Sequence, residues 1–269
     1  YFNNYLKKYL GNKAGIDFYS NGLIKIFKSD VPYNRMWSGI LHSCISEEVE
    51  KYWKKDVVKK SLNKCCGFFT LSKYTANYYR NHLPSIKIES LVLPGLNRKT
   101  FNWDDFQKNS NKKIIFIGHW KRDMSSFGFD SGIYAKVFLQ CQKNKIIQNK
   151  NIEIMPYLSD DDYDDLLSKN IIYVKLHDAA ANNVVVEAIV RNTPIIINPL
   201  PGVMEYLGES YPLYSSSDEE TISLLKDNML FSGYKYLSQM DKTKFEIDYF
   251  VKSIADSEIY NDIVLNKFL

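Results

Sequence analysis

Cysteine is scarce: four in 269 residues (Cys44, Cys65, Cys66 and Cys141), with no C-x-x-C pair. In a chain of this size that spacing argues against a disulfide framework and favours a reducing, cytosolic-type compartment. No run approaches the ~18 consecutive apolar residues of a membrane-spanning helix. No signal peptide is read at the start, and the chain opens on Tyr1 without a methionine, so a fragment or processed form is expected. A one-signed charge excess is also missing, since 35 basic and 31 acidic residues leave a net +4. The basic pairs Lys54-Lys55, Lys59-Lys60 and Lys112-Lys113 lack the interleaved aromatics of a nucleic-acid surface, so no nucleic-acid partner is expected. Mild basicity suits an anionic small ligand or peripheral contact with a membrane. There is no D-x-D with an apolar flank, no internal repeat and no low-complexity segment; Asp160-Asp161-Asp162 reads as the capped start of an acidic helix. No metal site and no cofactor is expected.

What is present is an ordinary globular composition, 45% apolar and 25% charged. Residues 1–95 read as a first lobe. It has an amphipathic helical start (Phe2, Tyr5, Leu6, Tyr9, Leu10), strand-like stretches at 23–27 and 36–42, and a helix at 46–62 capped by Ser46. A buried strand at 66–71 follows, then a helix that Ser72 caps and Pro84 stops, and a strand at 91–93. Residues 96–112 are polar and read as an interdomain linker. Residues 113–269 read as a second lobe, with strands at 113–117, 151–155, 171–176 and 194–198. Its helices are a helix-forming middle at 132–141, then 160–168, 182–191 and a helical tail from Thr221, which has the option of crossing back to the first lobe. Strands that are unbroken apolar runs alternating with helices predict an α/β fold with parallel sheets covered on both faces. Ligands of such sheets sit at the carboxyl ends of the strands, so functional residues are expected just after Ile117, Leu176 and Asn198.

The most informative stretch is 175–207. A strand ends near His177, a loop of small residues follows, and Asn182 and Asn183 mark the start of a helix. Small residues let a ligand approach the backbone, while the free N–H groups and dipole of a helix start favour a phosphate. One turn in, Glu187 offers a carboxylate able to accept both hydroxyls of a ribose. Each has a plainer reading beside it: Glu187 as a solvated or ion-paired helix residue, Asn182 and Asn183 as caps, and Asp178 as an ordinary loop residue. Upstream, Gly118 permits a tight exit from its strand, and Lys121 and Arg122 supply charge and bidentate donors for phosphate oxygens. His119 reads equally as site or scaffold, and Trp120 as core or pocket lining. In the first half, strand 36–42 ends on His42, either a base working near neutral pH or a structural histidine. Thr70-Leu71-Ser72 reads better as helix capping.

With Ala188, Ile189, Thr193, Pro194, Gly202 and Glu205, this segment resembles the donor half of GT-B glycosyltransferases, in particular the donor domain of glycosyltransferase family 4. Those enzymes read E-A-x-A-x-G-x-P-V-I followed by a G-x-x-E turn. The likeness covers 114–214 well and 37–94 loosely. It implies a GT-B-like fold of two Rossmann-type lobes with parallel sheets. The N-terminal lobe is short or truncated, because ~30 residues per βα repeat leave few strands in its span. It implies that Glu187 holds the ribose of a nucleotide-diphosphate sugar and that Gly118, Lys121, Arg122, Asn182 and Asn183 contact its diphosphate and sugar. His42 and Asp178 become the catalytic candidates. The implied activity is metal-independent transfer of a hexosyl or pentosyl group from a UDP- or GDP-type donor to a glycan or other acceptor. Two departures stand out. Ala179 occupies the place of a second glutamate that retaining members carry eight residues before the first, and Asn192-Thr193 replaces the glycine before the proline. The D-A-x-A-N-N loop at 178–183 and the N-P-L-P turn at 198–201 are similar to a divergent branch of these enzymes. The rival is a catalytically inactive GT-B-like nucleotide-sugar-binding or scaffold protein, which Ala179 and the short first half favour. A sugar-nucleotide epimerase is a further option, though its acid-rich N-terminal signature is missing.

Overall fold

The protein's architecture comes from a computed structural model that describes residues 17–19, 26, 28–42, 45, 47–96, 99–140 and 152–264. The helical start expected at 2–10 lies outside the described residues. By internal contacts the chain divides into two units, Tyr1–Leu93 with Ile247–Leu269, and Pro94–Glu246. Among the described residues, no helix is long and apolar enough to cross a membrane.

In the first unit, β1 (Asp17–Tyr19), β2 (Trp37–Leu41), β3 (Cys65–Thr70) and β4 (Ile88–Ser90) form one parallel sheet in that order. Between them run α1 (Glu47–Trp53), α2 (Asp56–Leu62) and α3 (Lys73–His82). The core gathers Trp37, Leu41, Val49, Trp53, Val58, Phe68 and Tyr79. The single helix expected at 46–62 is two helices, broken where Lys55 is extended. The break resets the helical phase, so that Val49 and Trp53 on α1 and Val58 on α2 all reach the core. The strand expected at 91–93 lies instead at 88–90, because Phe68 to Thr70 pair with Ile88 to Ser90 and set the ladder there. Of the stretch 23–27 read as a strand only Ile26 is described, and it is helical. The two last helices, Ile247–Ala255 and Glu258–Val264, lie in the span expected for the second lobe but group with this unit, the crossing back that the reading of the tail left open. Glu89 Oε1 accepts from Ile259 N at 2.9 Å, and Ile259 is fully buried.

The second unit opens with α4 (Trp103–Lys108), inside the stretch expected to be a linker. Phe101 and Phe106 are buried there, and Phe101 N donates to Arg191 O at 2.7 Å. A count of polar residues hides these aromatic anchors, which tie the segment to the unit that follows. The sheet is β5 (Lys113–Ile117), β6 (Ala135–Leu139), β7 (Ile152–Met155), β8 (Ile171–Val174) and β9 (Ile195–Ile197), all parallel. Its helices include α5 (Asp160–Ser168), α6 (Asn183–Arg191) and α7 (Pro201–Leu207). After α7 come α8 (Asp218–Leu224) and α9 (Asp227–Gln239). The helix-forming middle expected at 132–141 is the strand β6. Ala135, Lys136 and Leu139 are good helix formers, but Val137 and Phe138 are buried, and the Lys136 ammonium is satisfied by the Phe127 and Phe129 carbonyls. Tertiary burial overrides local propensity here.

Strand order is β7-β6-β5-β8-β9. The chain starts at the centre, adds β6 and β7 on one side, then returns to add β8 and β9 on the other. This is the doubly wound order, whose direction of growth reverses between β5 and β8. At such a switch point the two connections leave in opposite directions and open a crevice at the carboxyl ends.

Candidate functional site

Both loops that border the switch point are those singled out in the sequence. The loop after β5 contains Gly118, Lys121 and Arg122; the loop after β8 contains Asp178 and runs into Asn182 and Asn183 at the start of α6. The two are stitched together. Arg122 and Leu176 form an antiparallel bridge, Asp123 N donates to Lys175 O at 2.9 Å, and His177 N donates to Lys121 O at 3.0 Å. Lys121 accomplishes this with φ 54°, an uncommon conformation for a non-glycine residue that occurs preferentially at constrained loops. Gly118 has φ 76°, and a Cβ there would lie 2.6 Å from Arg122 Nη1. The guanidinium therefore lies directly over the glycine backbone. Arg122 Nη2 reaches Asn182 Oδ1 at 3.4 Å, the same oxygen that accepts from Val184 N at 3.0 Å and caps α6. So Asn182 is a cap, as its plainer reading held, and also an anchor for Arg122.

One turn along α6, Glu187 Oε2 accepts from the Tyr163 phenol on α5 at 2.5 Å. Beside them Arg191 donates to Asp164 Oδ1 from Nη2 at 2.5 Å and from Nε at 3.2 Å, with side chains only 4% and 10% exposed. The guanidinium lies 5.9 Å from the Tyr163 ring centroid. Burial pushes the Glu187 carboxyl above the ordinary glutamate range, against the lowering influence of Tyr163, Arg191 and Arg122. Burial also pushes the Tyr163 phenol up, reinforced by Glu187, so it remains a donor. A carboxyl whose folded pKa is raised contributes stability below its unfolded pKa and loses it as pH rises through the folded value. Ionised Glu187 thus destabilises the unliganded protein at neutral pH. Glu187→Gln, which retains an acceptor for Tyr163, is expected to melt above wild type at pH 7, with the gap closing toward about pH 4. A variant that melts at or below wild type at pH 7 contradicts this origin of the shift.

The turn after β9 closes the site from a third side. Asn198 uses its side chain as a backbone surrogate, accepting from Leu176 N at 2.8 Å and donating to Leu176 O at 2.9 Å. It thereby pins the ends of β8 and β9 together. Gly202 then lets α7 press on the loop: a Cβ there would lie 2.0 Å from Ala179 O and 2.9 Å from Ala180 O. Backbone cannot yield as a side-chain tip does. Gly202→Ala should cost about 2–3 kcal/mol, the upper range of overpacking, read as a lower denaturation midpoint at unchanged slope. An unchanged midpoint would show that the loop moves freely. Two polar atoms at this crevice, Asp178 Oδ2 and His119 Nδ1, are buried without a hydrogen-bond partner. Groups left in that state are costly, and a ligand is one of the ordinary reasons for them.

Gly118, Lys121, Arg122, Asp178, Asn182, Asn183 and Glu187 are thus brought to the carboxyl edge of one sheet. His42 belongs to the first unit, exposed at the carboxyl end of β2 and next to the end of β3, since Leu41 pairs with Thr70. Thr70 and Ser72 are spent on the turn and cap of α3, with Thr75 N donating to Ser72 Oγ at 3.2 Å. Trp120 is 56% exposed, which removes the core reading. Asn192 closes α6 at φ 62°. Glycine is the usual residue at such a left-handed cap, and asparagine is the side chain that best tolerates one. That departure concerns backbone, not chemistry. Ala179, by contrast, is 4% exposed and brings no carboxylate. Sequence reasoning gave no site role to Tyr163, Asp164 or Arg191, and took Asn198 only as a strand end and the first residue of the N-P-L-P turn. Their only trace was Arg191 four residues after Glu187 and a tyrosine set among acids in α5. Among the described residues, no group of three His, Cys, Asp or Glu is placed to hold a metal ion.

No family model matches the chain, and no curated protein matches it in sequence. Solved structures do match in fold. A mutant of TarM from S. aureus, solved with Fondaparinux, alpha-GlcNAc-glycerol and UDP, superposes with a TM-score of 0.66 at 12% identity over 96% of this chain and 58% of its own. Anabaena HepE in complex with UDP-glucose gives 0.61 at 11% identity over 82% and 71%. WaaG, a glycosyltransferase involved in lipopolysaccharide biosynthesis, gives 0.59 at 12% identity over 95% and 80%. The chain spans a little under three-fifths of TarM's length. These likenesses establish the fold class expected from the sequence: the chain has the GT-B fold.

Proposed function

We propose that the second unit holds a nucleoside-diphosphate sugar and that the protein is a glycosyltransferase passing that sugar to a carbohydrate-type acceptor. The observation that carries this is the switch point, where a capped helix start, two cations and a carboxylate one turn further on converge. A diphosphate at the start of α6 would meet the helix dipole, Lys121 and Arg122, which stabilise the negative charge that develops on the leaving group. Glu187 would accept from the ribose. Asp178 Oδ2, already buried without a partner, is suited to a hydroxyl of the transferred sugar. Uridine is the first base to test, since TarM and HepE were solved with UDP and UDP-glucose. Were the transfer to invert the anomeric centre, His42 is the candidate base; Ala179 leaves a retaining route to rely on electrostatic support alone.

A second reading, nucleotide-sugar binding without turnover, is favoured by one observation, the buried alanine at 179. The experiment that separates them has two arms. UDP, GDP and ADP are screened for a rise in Tm, and UDP-glucose, UDP-GlcNAc and GDP-mannose for release of the nucleoside diphosphate. Binding with release supports the transferase, binding without release supports the second reading, and no binding by any of the three overturns both.

A further inference from the structure

We propose that Tyr163 is a positioning residue that presets the Glu187 carboxylate for a ribose and makes the site selective for ribonucleotides over 2′-deoxyribonucleotides. This rests on the reading that Glu187 receives the ribose.

A glutamate on a helix surface turns about three torsions, and a ligand that needs one orientation must immobilise it at an entropic cost. Here the cost is met in advance. Tyr163 donates to Oε2 at 2.5 Å, and among the described residues it is the only hydrogen-bond partner of Glu187. Oε1 is thereby left in one defined position to accept. The tyrosine is itself fixed. Its neighbour Asp164 is locked into the buried pair with Arg191, whose guanidinium sits 5.9 Å from the Tyr163 ring centroid. The groups facing the carboxylate are Tyr163 and Asp164 from α5, Arg191 from α6 and Arg122 from the loop after β5. In these half-dry surroundings a hydrogen bond is stronger than in water, and an acceptor left unpaired is correspondingly expensive. A fixed oxygen also discriminates where a mobile one does not. A ligand lacking the 2′-hydroxyl leaves Oε1 short of a partner, whereas a freely turning carboxylate swings out to water.

The test is calorimetric titration of the full chain with UDP, GDP and ADP, then with the 2′-deoxy form of whichever binds best. Wild type is expected to favour the ribonucleotide by about tenfold or more. Tyr163→Phe keeps the ring beneath Arg191 and loses only the donor. It should weaken the ribonucleotide about five- to twentyfold while leaving the deoxynucleotide within about twofold, so that the preference collapses. In a Glu187→Gln background the same change should add less than about twofold, because Tyr163 acts through Glu187. Equal weakening of both nucleotides by Tyr163→Phe would reveal a merely structural role and overturn the proposal, as would an unchanged ribonucleotide affinity. A wild type with no preference for ribose overturns it without any variant. If Glu187→Ala binds as wild type does, the donor-site reading itself fails. If Glu187→Ala is weak and Tyr163→Phe is not, only the role of Tyr163 falls.

Discussion

Glu187→Ala is expected to abolish the rise in Tm that a nucleoside diphosphate gives the wild-type protein. A hydrogen bond to a charged group contributes about 1.5–3 kcal/mol, so losing the ribose acceptor should weaken binding roughly 10- to 100-fold. At a ligand concentration 100-fold above the wild-type Kd, binding stabilises the protein by about 2.7 kcal/mol; after a 100-fold loss only about 0.4 kcal/mol remains. That difference is several degrees of Tm in a unit of this size. The unliganded variant should still fold, since the change also removes a carboxylate that burial holds in its disfavoured charged form. A full ligand-induced shift in Glu187→Ala would remove the residue from the site.

Arg191→Leu is expected to cause the largest loss of stability. It removes the Arg191 ion pair from Asp164, a residue only 7% exposed, and leaves its charge inside the second unit without that cation. Breaking a buried pair from one side costs about 3–5 kcal/mol, which at roughly 2–4 °C per kcal/mol lowers Tm by about 6–20 °C. The double variant Asp164→Leu with Arg191→Leu should recover most of that loss, because two apolar side chains need no ionic partner. If the single and double variants melt alike, the cost lies in packing and not in the buried charge. The pair also underlies the site, since the Arg191 guanidinium lies beside the ring that fixes Glu187. Nucleotide affinity should therefore fall with stability in Arg191→Leu, whereas Gly202→Ala is expected to act by displacing the 179–180 loop.

Much of the second unit was legible because β5, β8 and β9 are buried on both faces and so read as unbroken apolar runs, as at 114–117 and 195–197. The site loops were legible for a related reason. Small residues and an asparagine cap after a strand end mark a tight turn into a helix, and in a doubly wound sheet such turns line the carboxyl edge. Where local composition and tertiary context disagree, the sequence misleads. Lys136 looks helical until the carbonyls of Phe127 and Phe129 satisfy it within a strand, and residues 96–112 look like a linker until Phe101 and Phe106 are seen in the core. The pairing of Glu187 with Tyr163 was not legible. Tyr163 and Asp164 lie on another helix, and nothing in the order of residues states that α5 and α6 lie side by side. In the opposite direction, Asn192 looked like a departure from the resemblance, and its φ of 62° places it at a left-handed cap, where glycine is the usual residue.

The most direct measurement is a crystal structure of the protein soaked with the nucleoside diphosphate that gives the largest Tm shift. The account predicts the diphosphate at the start of α6 beside Lys121 and Arg122, with a ribose hydroxyl on the Glu187 oxygen that Tyr163 leaves open. A nucleotide bound elsewhere, or one in this crevice with its ribose turned away from Glu187, would contradict it.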